Sequence, residues 1–557
     1  MPESADLILA GGRVKTLDPA STEGDAVAIR ANRIMAVGGN DDILKLAGPK
    51  TEAIDLAGTT VIPGFNDSHA HMDREGLKAI RLSLVGARSI ADIQGRIAAV
   101  ATSAEPGRWI VTMPVGEPPF YFEGPGYLVE GRMPNRHELD AAAPDNPVCI
   151  SAVFGNWSQP PGYTALNSIA LKLNGIDRRS TPACAGVEIV KDPASGEPTG
   201  VIVERNPRPT IDNDLLTAVP RFTYAERRDA LIESMRLYNA VGTTSVYEGH
   251  GLAQRTIDAY RELWEQGRLT ARVGLVLSPT WENIAEARRS IADWTAAARG
   301  RGQGDAWLKI CGLHVAFGGD AKTAALSRRS LPDTGWAGFV EQANDEAAFR
   351  DYCMLCAEHD VRMHAIVADN LHRIVPILEE VAARFDLRGR RWVIEHIARC
   401  RPEDLAALKR LDMFVTTIPV YFVWKGGAKY LADPDGGEGV VPHRTMLDLG
   451  LPVAAATDNI PYDPAFTLWT MACREERTTG RTIGPAQCLS GEEALRLLTV
   501  NGAWLTFDER EKGPLLPGYL ADLAVLERDP ARMEPARLRD NRCLMTVVDG
   551  RIVHRAM

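Results

Sequence analysis

Apolar positions along the chain follow two alternating periods. Short aliphatic and β-branched runs recur at 61–67 (VIPGFND), 243–248 (TTSVYE), 271–277 (ARVGLVL), 307–312 (WLKICG), 361–366 (VRMHAI), 391–396 (RWVIEH), 413–418 (MFVTTI) and 452–457 (PVAAAT). Such runs suit strands buried on both faces. Between them stand helical patterns such as 225–240 and 346–359. Eight strands alternating with helices predict an α/β fold, a closed (β/α)8 TIM barrel. An open doubly wound sheet is disfavoured, because no G-x-G-x-x-G follows a strand.

The two ends carry a different pattern. Residues 5–17 and 26–38 read as strand pairs interrupted at Gly11-Gly12 and Ala31-Asn32. Residues 521–527 read as a strand, and 544–554 as a hairpin on Asp549-Gly550, a type I′ signal. Neither end has the apolar residues for a core of its own. Residues 1–58 and 505–557 are therefore expected to form one small β-sandwich, with the barrel spanning 59–504. Residues from about 80 to 224 are too long for one barrel loop. They hold a further strand (147–153) and Pro/Gly-rich stretches, and read as an insertion over the barrel mouth.

Composition narrows the function classes. The 557 residues are 45% hydrophobic, enough for a large core, and 63 Lys+Arg against 73 Asp+Glu give a net charge of −10. An acidic chain with no basic run does not track nucleic-acid phosphates or an anionic membrane surface. No apolar run approaches the roughly 18–20 residues of a membrane span. The start, MPESADLILAGG, lacks the pattern of a secretory leader. The expectation is a cytoplasmic protein with a small-molecule substrate, forming a homo-oligomer, first a dimer. Nine scattered cysteines, an odd number, outline no disulfide framework. Cys353 and Cys356 lie in a helical pattern and read as a buried helix face.

Candidate chemistry sits at strand ends, where barrels gather catalytic groups. His69 and His71 follow the first strand, and two His one residue apart on an extended chain point the same way. The fourth strand carries Lys309, the fifth and sixth end in His364 and His396, and the eighth runs into Asp458. Imidazole and carboxylate together suit zinc and neighbouring divalent metals. Asp67 lies two residues before His69, where it could support a ligand from behind. Lys309 has two readings: a metal-site group, or a cation paired with a barrel carboxylate such as Glu248. Glu248, His250, His314, Trp157 and Trp424 are candidates to line a substrate pocket, and structural roles stay open for each.

PGFNDSHAH, LKI, HAI, VIEH and ATDN resemble the metal-dependent amidohydrolase superfamily. RMPNRHELDAAAPDNPV (132–148), YTALNSIAL (163–171), NAVGTTSVYE (239–248) and LSGEEALRLLTVNGA (489–503) are similar to its amidohydrolase-3 branch. That branch comprises YtcJ-like enzymes, including N-substituted formamide deformylases. The resemblance implies a hydrolase that cleaves an amide, N-substituted formamide or cyclic amide with a metal-activated water. It further implies one or two divalent ions, zinc first, with His69, His71, His364, His396 and Asp458 as ligands. Lys309 would be a carboxylated, bridging ligand and Asp458 also the general base. Deamination of an aromatic ring at the same site, or a non-catalytic binding barrel, are the alternatives. Three departures lie near the substrate: Cys311-Gly312-Leu313-His314 after the lysine, Val367-Ala368-Asp369 after His364-Ala365-Ile366, and Gly155-Asn156 in place of G-H. They imply a substrate unlike the branch's better-known ones.

Overall fold

The computed structural model describes residues 4–121, 124–152, 160–206, 210–318, 321–330 and 345–557. The chain divides into two compact units. One comprises Met1–Met72, Ile232–Gly318 and Glu341–Met557, the other Asp73–Leu231 and Gly319–Val340.

Eight parallel strands in chain order form the centre of the first unit: β1 (Phe65–Asp67), β2 (Thr243–Leu252), β3 (Arg272–Leu277), β4 (Leu308–His314), β5 (Met363–Ala368), β6 (Val393–Ile397), β7 (Phe414–Thr417) and β8 (Val453–Ala455). Each pairs with the next. The seam between β8 and β1 is bridged just beyond the strands, where Asp458 N–H donates to His69 O at 3.1 Å. Thr457 donates its N–H at 3.0 Å, and also its hydroxyl, to the Asp67 carboxylate. The result is the nearly closed (β/α)8 barrel that the alternation predicts. Tyr247, Val276, Cys311, Val393, Phe414 and Ala454 fill its interior, with Leu505 plugging the base.

The terminal strands form two sheets. One orders Arg33–Gly38, Ala26–Arg30, Ala5–Ala10 and Ala47–Asp55; the other runs Arg551–Arg555, Cys543–Val548, Leu523–Leu526, Thr60–Pro63, Arg13–Lys15 and Glu23–Gly24. Leu7, Leu9, Val27, Ile29, Val61, Leu523, Val525 and Val547 form one buried cluster between them. The hairpin turn has φ 53° at Asp549 and 74° at Gly550, as a type I′ turn requires. The apolar run 61–67 is not one strand. Thr60–Pro63 belongs to the sandwich and Phe65–Asp67 to the barrel. Gly64 allows the crossing, because a Cβ there would lie 2.2 Å from the Thr244 side chain. Arg272, at the start of β3, ties sandwich to barrel through Asp522 (2.6 Å) and Asp549 (2.9 Å), with all three side chains largely buried.

The second unit holds a five-stranded sheet ordered Val187–Lys191, Pro198–Glu204, Gly162–Leu166, Val148–Ile150 and Ile110–Thr112. Helices Ile90–Ala101 and Arg136–Ala142 pack Ile93, Ile97 and Leu139 into a core with Val148 and Ile150. Both helices start with capping boxes, Ser89 with Asp92 and Asn135 with Glu138. The fold of this unit thus starts at Asp73, seven residues before the boundary read from the sequence.

No disulfide joins any of the nine cysteines. Cys353 and Cys356 are buried on helix Glu346–Glu358, and burial pushes the Cys356 thiol up to about 12. That is the helix-face role expected of them. Among the described residues no helix is long and apolar enough to cross a membrane.

Candidate metal centre

His69 and His71 leave β1 on a buried turn, and their rings stand at 88° with centroids 5.3 Å apart. His396 closes β6, and Asp458 follows β8. Both hold left-handed backbone, with φ 55° and 52°. Non-glycine residues in that conformation mark places where surrounding structure over-determines the chain, often at functional sites. These four side chains converge. His69 Nε2 lies 2.9 Å from His396 Nε2, and His71 Nε2 lies 2.9 Å from Asp458 Oδ1. Asp458 Oδ1 is 3.9 Å from His69 Nε2. His69, His71 and Asp458 are all buried and offer donor atoms within 4.8 Å of one another. Imidazole nitrogens packed this closely, beside a carboxylate in a desolvated pocket, fit a divalent cation that would neutralise and order them.

Two buried carboxylates adjoin the cluster. Glu248, in β2, accepts a 2.6 Å bond from the Tyr260 hydroxyl and brings an oxygen within 4.8 Å of a His71 nitrogen. Glu395 precedes His396 on β6, and its Oε2 lies 3.6 Å from His69 Nδ1. No hydrogen-bond donor among the described residues reaches either Glu395 oxygen, and burial holds its carboxyl well above the usual range. Gly249 makes room for this approach. A Cβ there would lie 2.4 Å from His69 Nδ1 and 2.9 Å from Glu395 Oε1. Glu395 was missed in the sequence, although an acid inside the apolar strand VIEHI is itself a signal. Lys425 was also missed. It is buried after β7, and burial lowers its ammonium to about 7 against the opposing pull of Asp458.

Lys309 does not join the cluster. It stands second in β4, five residues before the strand's end, and its Nζ donates to Asp508 Oδ1 at 2.6 Å and Thr506 O at 2.9 Å. In this geometry Lys309 stands apart from the donors of the cluster. The paired-cation alternative fits, with Asp508 rather than Glu248 as partner. His364, second in β5, faces the barrel interior, where its Nε2 meets the Tyr247 hydroxyl at 2.5 Å. Burial, Arg362 and His314 hold its imidazole neutral, well below the usual range. The contact that the geometry gives His364 is thus with Tyr247. His314 is buried at the end of β4, opposite His364 in register. Trp424 packs edge-on against Phe466 at 5.0 Å, within an apolar cluster around Trp469 and Leu538. The His250 backbone lies in β2, but its side chain and the whole of Trp157 lie outside the described residues. The Asp67 carboxylate sits on Thr457 and, at 3.4 Å, on the His69 N–H, so it locks the β1–β8 seam. Burial raises it to about 6.

Comparison with known proteins bears on this geometry. Residues 52–554 match the family described as the Amidohydrolase family. The chain is 25% identical to the N-substituted formamide deformylase of Arthrobacter pascens, over 99% of this chain and 98% of that protein. It is also 25% identical to YtcJ of Bacillus subtilis (strain 168), over 98% of each. Its fold is like that of an uncharacterized metal-dependent hydrolase from Pyrococcus furiosus, with a TM-score of 0.66, 20% identity, 94% of this chain and 100% of that one covered.

Proposed function

The chain belongs to the amidohydrolase family, and we propose that it hydrolyses a small amide, an N-substituted formamide or a cyclic amide, at the centre built by His69, His71, His396 and Asp458. It is a metal-dependent hydrolase acting on C–N bonds. The carrying observation is the convergence of three imidazoles and one carboxylate in a buried pocket where β1, β6 and β8 end.

In this reading His69, His71, His396 and Asp458 would hold one divalent ion, zinc by the chemistry of the donor set. A bound ion of this kind lowers the pKa of water toward neutrality and polarises a carbonyl. With such an ion bound, Asp458 would be placed to accept a proton from the attacking water and return it to the leaving nitrogen. Its left-handed backbone, held by the His69 carbonyl, fixes the carboxylate over the imidazoles. Lys309, bonded to Asp508 and Thr506, stands outside this donor set. Cysteines without disulfides fit a cytoplasmic setting.

The test is metal content of the purified chain, followed by assays on N-substituted formamides and cyclic amides. One equivalent of zinc is expected, with turnover about 10²–10⁴-fold lower in Asp458→Asn. A chain that takes up no metal from added zinc and turns over none of these substrates would overturn the reading.

A further inference from the structure

A second pocket lies at the opposite end of the barrel. Its walls are the segments that lead into the strands: Gly300-Arg301 before β4, Asp360–Arg362 before β5, Arg388–Trp392 before β6 and Asp412 before β7. Trp504 and Phe507 complete it, and it encloses about 650 Å³. That volume is within the range of small-molecule sites. The metal-centre residues all lie where strands end, so the two sites share no wall.

The pocket is cationic on an acidic protein. Five guanidinium groups, of Arg301, Arg362, Arg388, Arg390 and Arg391, line it against the carboxylates of Asp360 and Asp412. Asp412 accepts the Gly389 N–H, and Asp360 stands 3.7 Å from Arg390. Arg388 and Arg391 pair with Asp386 and Glu509. Arg301 acts on the Glu509 carboxylate and Arg362 on that of Glu395 only at longer range. Arg362 is 1% exposed, and its Nη2 makes no hydrogen bond. Its Nε and Nη1 donate to Arg391 O and Leu505 O, both at 2.7 Å, which turns the group's charge toward the base of the barrel.

The aromatic groups concentrate this charge. Phe507 holds a left-handed φ of 59°, and three guanidiniums approach its ring: Arg391 at 4.2 Å, Arg362 at 5.0 Å and Arg301 at 5.4 Å. Arg391 also stacks on Trp504 at 3.8 Å. Like charges gathered on one ring repel one another, and a bound anion relieves that repulsion. Planar guanidinium forks match phosphate oxygens two at a time.

We infer that this pocket binds a phosphorylated small molecule, its phosphate groups held by Arg301, Arg388 and Arg390 at the end of the barrel away from the metal centre, with the buried Arg362 adding positive potential from behind. The inference is independent of the reaction proposed above.

The full-length protein is titrated calorimetrically with inorganic pyrophosphate and with AMP, at an ionic strength near 0.1 M. At least one is expected to bind, and their relative affinity tells whether the phosphate chain or a nucleotide is preferred. The charge reversals Arg301→Glu and Arg388→Glu, at exposed positions, are expected to weaken binding at least tenfold without altering the melting temperature. Absence of heat for both probes up to millimolar concentration would overturn the inference, as would unchanged binding in both variants.

Discussion

Replacing Glu395 by Gln removes one charge and almost no volume from the wall of the metal centre. Glu395 Oε2 lies 3.6 Å from His69 Nδ1, and the opposite ring nitrogen, Nε2, faces His396. A carboxylate behind an imidazole ligand fixes its tautomer and raises its basicity. At 3.6 Å and an effective dielectric near 20, a full charge pair there is worth at most about 4.6 kcal/mol. Burial of Glu395 opposes its ionisation and consumes part of that. The remainder is expected to match the usual effect of such a partner, a 10–100-fold loss of metal affinity, or about 1.4–2.7 kcal/mol. The assay is competition for zinc between the metal-free protein and a chromophoric chelator at pH 7, with thermal melts confirming that Glu395→Gln folds. An unchanged or lower zinc Kd would refute the reasoning. It would mean that Glu395 stays neutral with the ion bound and does not act on His69.

Lys309→Met is expected to leave metal content unchanged and to lower stability by about 1–3 kcal/mol, because Asp508 loses its 2.6 Å partner and keeps only Lys512 at 3.7 Å; loss of metal in this variant would restore Lys309 to the metal centre. Arg272→Met strands Asp522 and Asp549 beneath the sandwich and is expected to cost about 3–5 kcal/mol, read from urea midpoints. Adding Asp522→Asn should recover part of that loss, and an unshifted midpoint would disprove the anchoring role. His443 is buried, bonded to the Thr417 hydroxyl, and its imidazole is lowered to about 3. The unfolded chain takes up that proton near pH 6.5 and the folded one does not, so stability is present above 6.5 and is lost as pH falls toward 3. Between pH 6.5 and 5 this amounts to about 2 kcal/mol. His443→Gln should flatten that part of the profile, and parallel curves for the two proteins would contradict it.

Much of this protein is legible in its sequence. Strand and helix periods define the eight barrel strands within a few residues, because each period reflects a local backbone geometry. The Asp549-Gly550 hairpin is legible because only certain residues tolerate two left-handed positions in a row. His69, His71, His396 and Asp458 stand out in the sequence as polar residues at the ends of apolar strands, where a barrel gathers its polar groups.

Tertiary structure alone decided the rest. Lys309 and His364 share strands with the expected chemistry, yet one amine lies at the barrel base and the other side chain meets Tyr247 in the interior. Parallel barrel strands are buried on both faces, so polarity does not tell inward from outward. Height along the axis depends on the stagger between strands, which no single strand encodes. Glu395, opposite His69 across Gly249, and the five arginines of the second pocket come from segments far apart in the chain. Local sequence sets which side chains are available. Barrel closure sets which of them meet.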